Sequence, residues 1–402
     1  MRVLSILCVC AAACGGDASG GDIDASVTAD AFPSAQRPSK RSDIVGVAAG
    51  GTMVVFGGDD GPIVDQIASP AYRDDTWLFD PTTGWRQATP TTAPSARGRY
   101  AAAGSGEVAF LFGGRFRTAG TTGNYTLHGD LWSFATGTGQ WTEVAAGGSG
   151  PSARHLSVMA AEPGGSVVIY GGDTNPSALT INPSTEVWRH DQGWTQLTTT
   201  GAAPSPRVFM ASAYDTQRDR LVIFGGQIGD FVSPGLNDLY ALDLGTRTWS
   251  QLSANGAAGA PSGRFSASML YDPTADRYIM MGGHADPGVA NDVWSFDPEG
   301  GGWSQLGVGD VFTGASLGCL GNSREIPKGY VTEAAGTPER RSTSAFVLLD
   351  DAYWLFGGES DCSDHLDDTW RLSPAGTWAE LIDARSGESC SRRGDDCPCL
   401  CL

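Results

Sequence analysis

The chain has 402 residues, among them 56 glycines, 22 prolines and 12 tryptophans, and its formal net charge is −19 at pH 7. This acidity argues against nucleic-acid binding, because a surface that contacts phosphates needs clustered Lys and Arg. No long stretch repeats apolar residues with helical spacing, so the composition indicates short strands joined by many turns.

The N-terminus has the order of an export signal. Met1-Arg2 gives a short positive region, Val3 to Ala13 is apolar, and small residues precede Cys14. Residues 1–14 therefore predict a bacterial lipoprotein signal with lipidation at Cys14, or else an ordinary signal peptide. We expect an exported chain, lipid-anchored at the cell envelope (outer membrane or surface) or otherwise periplasmic or secreted. The membrane would be contacted only through the lipid.

Residues 15–37 are rich in Gly, Ala, Ser and Asp and have no apolar periodicity. Such a composition is typical of a flexible tether. The sequence thus predicts a folded head held away from a membrane surface.

An apolar run that ends in two glycines recurs six times along the chain. The intervals between successive pairs are 56, 58, 54, 57 and 75 residues. A period of this size in strand-forming sequence indicates a propeller or a similar array. The pairs are Gly57-Gly58, Gly113-Gly114, Gly171-Gly172, Gly225-Gly226, Gly282-Gly283 and Gly357-Gly358.

Three further positions recur with each glycine pair. A Pro-Ser-x-Arg motif or a close relative precedes it, with its arginine at Arg41, Arg97, Arg154, Arg207, Arg264 or Arg341. An acidic residue two positions before an aromatic one follows it, at Asp75/Trp77, Asp130/Trp132, Glu186/Trp188, Asp238/Tyr240, Asp292/Trp294 and Asp368/Trp370. A second tryptophan then begins a fourth strand, at Trp85, Trp141, Trp194, Trp249, Trp303 or Trp378. Eleven of the twelve tryptophans occupy these two aromatic positions, so their expected role is to fill space between sheets.

This combination resembles the kelch repeat over residues 38–381. The resemblance implies an all-β fold, a six-bladed kelch-type β-propeller of four-stranded antiparallel blades. Residues 307–337 form an insert between blades five and six, and residues 382–402 form a Cys-rich tail. Each repeat starts with its innermost strand, so no exchanged strand is expected to lock the first blade to the last.

The variable loops are expected on one face of the propeller. From the second glycine to the aromatic residue of the third strand, the chain takes 19, 18, 16, 14, 11 and 12 residues in blades one to six. In a four-stranded meander, these loops lie on the same face as the connections between blades. Loops on a rigid scaffold commonly carry binding function.

Two interpretations apply to the motif arginines. By resemblance to kelch adaptor proteins, the arginines and the residues that follow the glycine pairs contact a ligand. These residues are Arg41, Arg97, Arg154, Arg207, Arg264 and Arg341, and Asp59, Arg115, Asp173, Gln227, His284 and Glu359. In the second interpretation, each arginine only pairs with a third-strand carboxylate, because buried guanidinium groups need such partners.

The functional expectation is a monomeric, non-enzymatic module that binds a protein or glycan ligand at the cell surface. A carbohydrate-active enzyme is the alternative, similar to sialic-acid mutarotases or a lyase and using an Arg–carboxylate pair at the channel mouth. A third possibility is a structural surface protein whose acidic face binds calcium. No catalytic residue, metal ligand or other cofactor is assigned. The match of 314–318 to Gly-x-Ser-x-Gly lacks the strand–turn–helix setting that this motif needs.

Six cysteines follow the signal region. Cys319 and Cys362 are both expected on the variable face of neighbouring blades, so we predict that they form a disulfide. Cys390, Cys397, Cys399 and Cys401 could form two more disulfides or a thiolate cluster for a soft metal.

Overall fold

The computed structural model describes residues 32, 36–61, 63–64, 67–68, 70–178, 180–228, 234–285, 288–312, 331–360 and 365–383. Within these ranges the chain forms strands, turns and no helix, so no helix there has the length and apolarity to span a membrane. The predicted signal with Cys14, the Cys319–Cys362 pair and Cys390, Cys397, Cys399 and Cys401 lie outside the described residues.

The fold is the predicted all-β propeller of six antiparallel blades, each with its four strands in chain order from the axis outwards. The first strands are Val47–Ala49, Ala101–Ser105, His155–Ala161, Ala211–Asp215, Ser268–Asp272 and Ala345–Leu349. The second strands are Thr52–Phe56, Val108–Phe112, Val167–Asp173, Arg220–Phe224, Arg277–Met281 and Ala352–Glu359. The third strands are Thr76–Asp80, Leu131–Ala135, Val187–His190, Leu239–Asp243, Val293–Asp297 and His365–Leu372. The fourth strands are Gly84–Ala88, Gln140–Ala145, Trp194–Leu197, Thr248–Ser253, Gly302–Gly307 and Trp378–Ile382.

Short strands supplement the blades. Thr200–Gly201 pairs in parallel with the fourth strand of blade four. Outside the blades, four pairs of two-residue strands are antiparallel: Ile63–Val64 with Ile67–Ala68, Arg115–Phe116 with Thr126–Leu127, Arg264–Phe265 with His284–Ala285, and Val311–Phe312 with Val331–Thr332. The last of these lies within the predicted insert.

The apolar core lies between neighbouring blades. Trp141 of blade two packs edge-on against Phe56 of blade one, with ring centroids 5.3 Å apart. Its indole Nε1 donates to the hydroxyl of Thr76 at 2.9 Å. Burying the ring while satisfying its one polar group makes tryptophan suitable for this position. The fourth-strand tryptophan therefore joins a blade to the preceding one.

The glycine pairs also join blades, through the backbone. Gly57 has φ of +56°, and a Cβ there would lie 2.6 Å from the carbonyl oxygen of Arg97 in blade two. The next amide, that of Gly58, donates to the same carbonyl oxygen at 3.0 Å. Glycine is thus required both for the left-handed turn and for the close approach. In blades three and six the second strand continues past the pair to Asp173 and Glu359, beyond the end that the sequence suggests.

The ring closes by repeating these contacts between blades six and one. The amide of Gly358 donates to the carbonyl oxygen of Arg41 at 2.8 Å. Trp85 Nε1 donates to the hydroxyl of Thr369 at 3.0 Å, as Trp141 does one blade on. The guanidinium of Arg37 lies 3.3 Å from the carboxylate of Asp367. Closure therefore needs no exchanged strand.

The close approach at Gly57 can be separated from its backbone conformation. Gly106 has φ of +57°, and a Cβ there would meet no atom within 4 Å. We expect Gly106→Ala to lower the free energy of unfolding by about 1 kcal/mol, from left-handed backbone strain alone. Gly57→Ala should cost at least about 2 kcal/mol more, since the carbonyl of Arg97 must move. Urea denaturation measures both, and equal losses would contradict this role of Gly57.

Candidate functional site

Each motif arginine connects the other motif positions of its repeat. In blade two, Arg97 donates from Nη1 and Nη2 to the carboxylate of Asp130 at 2.6 and 3.0 Å. Its Nη1 also donates to the carbonyl of Gly113 at 3.1 Å, and its Nε to that of Ser95 at 2.9 Å. The indole of Trp132 donates to the same carboxylate at 2.7 Å. The recurring Ser, Arg, Gly, acid and Trp are therefore one hydrogen-bonded unit.

The same ion pair is present in all six blades, with N–O distances of 2.5–2.6 Å. The arginines are at most 2% exposed, which places their guanidinium groups inside the blades. The pairs are Arg41–Asp75, Arg97–Asp130, Arg154–Glu186, Arg207–Asp238, Arg264–Asp292 and Arg341–Asp368. This geometry agrees with the second interpretation of the sequence, in which each motif arginine pairs with a third-strand carboxylate.

The residues two positions after these arginines form a ring at the channel opening, here called the mouth ring. All six have left-handed backbone, with φ between 51° and 60°. Amide-to-carbonyl bonds of 2.8–3.0 Å join Arg99 to Asp43, Leu156 to Arg99, Ser266 to Phe209 and Thr343 to Ser266. The members are Asp43, Arg99, Leu156, Phe209, Ser266 and Thr343. The sequence did not predict this ring. Its members share only their position two residues after a motif arginine, and their side chains differ in every blade.

An ion-pair network lies on the side of the ring formed by blades one and two. Arg99 Nε donates to both carboxylate oxygens of Asp43, at 2.9 and 2.8 Å. Arg115, one of the predicted site residues, lies 3.5 Å from that carboxylate and donates to the hydroxyl of Tyr72 at 2.9 Å. Its guanidinium also stacks 4.0 Å from the centre of the Tyr125 ring. Despite burial, Arg99 and Arg115 hold the pKa of Asp43 below its usual value.

Two other predicted site residues shape loops. Asp59 accepts the amides of Gly61 and Ala71 at 2.9 and 2.8 Å, so its Oδ1 joins both ends of the blade-one loop. Asp173 does the same in blade three, accepting the amides of residues 175 and 182 at 2.8 and 2.9 Å. Asp59 and Asp173 thus position the loops that follow the second strands of blades one and three.

The remaining predicted residues surround the other blades. His284 stacks on Phe265 with ring centroids 4.9 Å apart and shares a hydrogen bond of 3.0 Å with the hydroxyl of Ser342. Burial, and secondarily the charge of Arg99, lowers the pKa of His284 to about 4. Gln227 is buried and pairs by backbone with residue 208. Burial raises the pKa of Glu359 above its usual range.

The mouth ring and its neighbours therefore divide into sectors of different chemistry. Blades six and one contribute carboxylates, at Glu359 and Asp59, and blade two contributes cations, at Arg99 and Arg115. Blades four and five contribute the aromatic rings of residues 209 and 265, which lie 5.7 Å apart. In the part of the chain that the structure describes, no three His, Cys, Asp or Glu residues are placed to hold a metal ion. This arrangement suits recognition of a ligand with mixed polar and apolar groups.

Comparison with known proteins shows that the family model of the KLHDC2/KLHL20/DRC7 Kelch-repeats domain matches residues 22–172 and 158–316. The chain is 26% identical over 341 residues to the Leucine-zipper-like transcriptional regulator 1 homolog of Drosophila melanogaster, covering 83% of this chain and 31% of that protein. It is 27% identical over 285 residues to Kelch domain-containing protein 2 of Bos taurus, covering 64% and 67% respectively. Dynein regulatory complex subunit 7 of Chlamydomonas reinhardtii is 32% identical over 122 residues, which are 30% of this chain and 10% of that protein. The chain thus spans about a third of the Drosophila relative and a tenth of the Chlamydomonas one.

Neutralising Glu359 should stabilise the protein at neutral pH. Its carboxyl binds a proton more tightly in the folded state, because burial and the charge of Asp43 raise its pKa. Stability is therefore lost as pH rises above the unfolded pKa of about 4.3. We expect Glu359→Gln to raise the melting temperature at pH 7 and to leave it unchanged near pH 3.5. Glu143→Gln, on an exposed strand position, controls for the removal of one negative charge. A Glu359→Gln variant that is less stable at pH 7 would contradict this account.

Proposed function

This chain belongs to the Kelch-repeat domain family, and on that premise we propose that it is a binding module for a protein ligand. The ligand binds to the loop face, the face that carries the mouth ring and the loops after the second strands. The observation that carries the proposal is the mouth ring. Six residues with the same backbone conformation present six different side chains around one opening. A constant scaffold with variable side chains at its rim is the arrangement expected of a recognition surface.

A polypeptide fits the sectors of this face better than a ligand of one chemistry. Carboxylates, guanidinium groups and aromatic rings lie around a single opening, and polypeptide segments carry matching groups. Buried aromatic and Arg side chains are also the residues that most often dominate protein interfaces. Among the relatives, Dynein regulatory complex subunit 7 is by its name a component of a protein assembly.

The carbohydrate-active alternative receives less support from the geometry. It requires an arginine and a carboxylate free to contact a sugar at the channel mouth. The six motif arginines are at most 2% exposed, and each is bonded to the carboxylate of its own blade. At the channel opening, Arg99 and Asp43 are bonded to each other. Binding of a glycan without catalysis is distinguished from binding of a protein by the test below.

Peptide selection on the full chain tests the proposed function. We expect random peptide libraries to yield ligands that bind at the loop face. Phe265→Ala and Phe116→Ala, both partly exposed there, should weaken binding at least tenfold, which corresponds to about 1.4 kcal/mol. Thr138→Ala lies in an exposed turn of the opposite face and should leave the affinity unchanged. Peptides that bind both Phe variants as tightly as the parent, or selective binding on a glycan array alone, would overturn the proposal.

We also propose that the module is exported and lipid-anchored at a bacterial cell envelope. The support is the order of the N-terminal residues, in which an apolar stretch and small residues precede Cys14. Expressed in bacteria, the chain should incorporate labelled palmitate, and Cys14→Ser should not. Cys10→Ser is the matched control, since it replaces another cysteine of the same segment. Equal labelling of the Cys14→Ser variant would exclude this anchor.

A further inference from the structure

Two carboxylates on the loop face, where blade six meets blade one, have no ion-pair partner among the residues that the structure describes. Glu359 is partly exposed, and no described residue donates a hydrogen bond to its side chain. Asp59 uses its Oδ1 for two loop amides, and no described donor reaches its Oδ2. Other acids around the same seam are ion-paired, as Asp43–Arg99, Asp60–Arg73, Asp367–Arg37 and Asp368–Arg341. The seam therefore carries two acids that the protein itself leaves unmatched.

A histidine connects these two carboxylates. His365 lies directly opposite Glu359 on the neighbouring strand, so the two side chains are on the same side of the sheet. Its Nε2 shares a hydrogen bond of 2.9 Å with the carbonyl of Gly61, whose amide donates to Asp59 Oδ1 at 2.9 Å. The imidazole also interacts electrostatically with both carboxyls. We call Asp59, Glu359 and His365 the seam site.

His365 is itself incompletely bonded. The residue is only 4% exposed. Because a carbonyl oxygen can only accept, Nε2 is the donor of the bond to Gly61, which leaves Nδ1 as an acceptor in the neutral ring. Nδ1 is buried and has no hydrogen-bond partner in the described part of the chain. Buried polar atoms without a partner are rare in native proteins, so this one points to a bound group that the protein does not supply.

The seam site is costly to the folded protein at neutral pH. Burial, and secondarily the charge of Asp43, raises the pKa of the carboxyls of Asp59 and Glu359. Arg99, which partly offsets the charge of Glu359, is already bonded to Asp43. Ionising an acid whose pKa is raised by folding destabilises the folded state, and a cation at the site would remove that cost. Loss of stability at such a position is typical of residues kept for binding.

We propose that the seam site binds a cationic side chain of the protein ligand, an inference that rests on the proposed function. A guanidinium group fits best, because it has five N–H donors and no acceptor, whereas the site offers carboxylate oxygens and Nδ1. No three described acids or histidines are placed to hold a metal ion, whose ligands must lie much closer together than the contacts of an organic cation. The net charge of −19 also attracts a cationic segment toward the chain.

Capped arginine, N-acetyl-arginine methylamide, is the direct probe of this site. In the full chain labelled with ¹⁵N-histidine, it should produce saturable shifts of the His365 ring nitrogens. His190 ends the third strand of blade three at the opposite face and is the internal control. Capped citrulline has nearly the same shape without the charge, and we expect it to bind at least about tenfold more weakly.

Glu359→Gln separates recognition of the cation from folding. This variant is expected to be more stable than the parent at pH 7, so weaker binding would not result from unfolding. It should bind capped arginine at least about tenfold more weakly. Glu143→Gln, which removes one negative charge from an exposed position, should bind it as the parent does. In peptides selected on the full chain, exchange of an arginine for citrulline should weaken binding to the parent and have little effect on binding to Glu359→Gln.

The outcomes separate this inference from the proposed function. Absence of a saturable His365 shift with capped arginine would overturn the inference, and so would an equal shift with capped citrulline. Unchanged affinity of Glu359→Gln for capped arginine would have the same consequence. If peptides are selected and none depends on a cationic residue, the proposed function stands and the inference is wrong. If capped arginine binds and no peptide is selected, the cation site stands and the proposed function is wrong.

Discussion

The ion pair between each buried motif arginine and the acid two positions before the third-strand aromatic residue is the contact on which every blade depends. Burying two charges is costly unless their remaining hydrogen-bonding groups are satisfied. Around Arg97 they are satisfied by the Ser95 carbonyl and hydroxyl and by the Gly113 carbonyl. The backbone of the same arginine accepts the amide of Gly58 from the preceding blade. One residue therefore holds its own blade together and links it to its neighbour.

The chain that enters the channel has the same backbone conformation in every blade. The residue two positions after each motif arginine is left-handed, which costs on the order of 1–3 kcal/mol for a residue other than glycine. Backbone bonds between successive members of the mouth ring offset part of this cost. A ring held so firmly has little conformational freedom to lose when a ligand binds, which favours affinity.

The residues that follow the glycine pairs have two different roles on the loop face. Asp59 and Asp173 follow their glycine pairs, and each uses its Oδ1 to join the ends of a loop. Arg115 and His284, at the equivalent positions, instead contact Tyr72 and Phe265 beside the channel. The same motif position thus serves loop structure in some blades and the channel opening in others.

The sequence by itself determined the number of blades, the strand order and the face with the long loops. It could do so because the glycine pairs, the arginines and the tryptophans each meet a local requirement that repeats six times. It left two roles open for the motif arginines, since a one-dimensional pattern does not show how deeply a charge is buried. Only the tertiary structure revealed the mouth ring and the seam site. Asp43 and Arg99, or Gly61 and His365, lie far apart in the chain, and closing the ring is what brings each pair together.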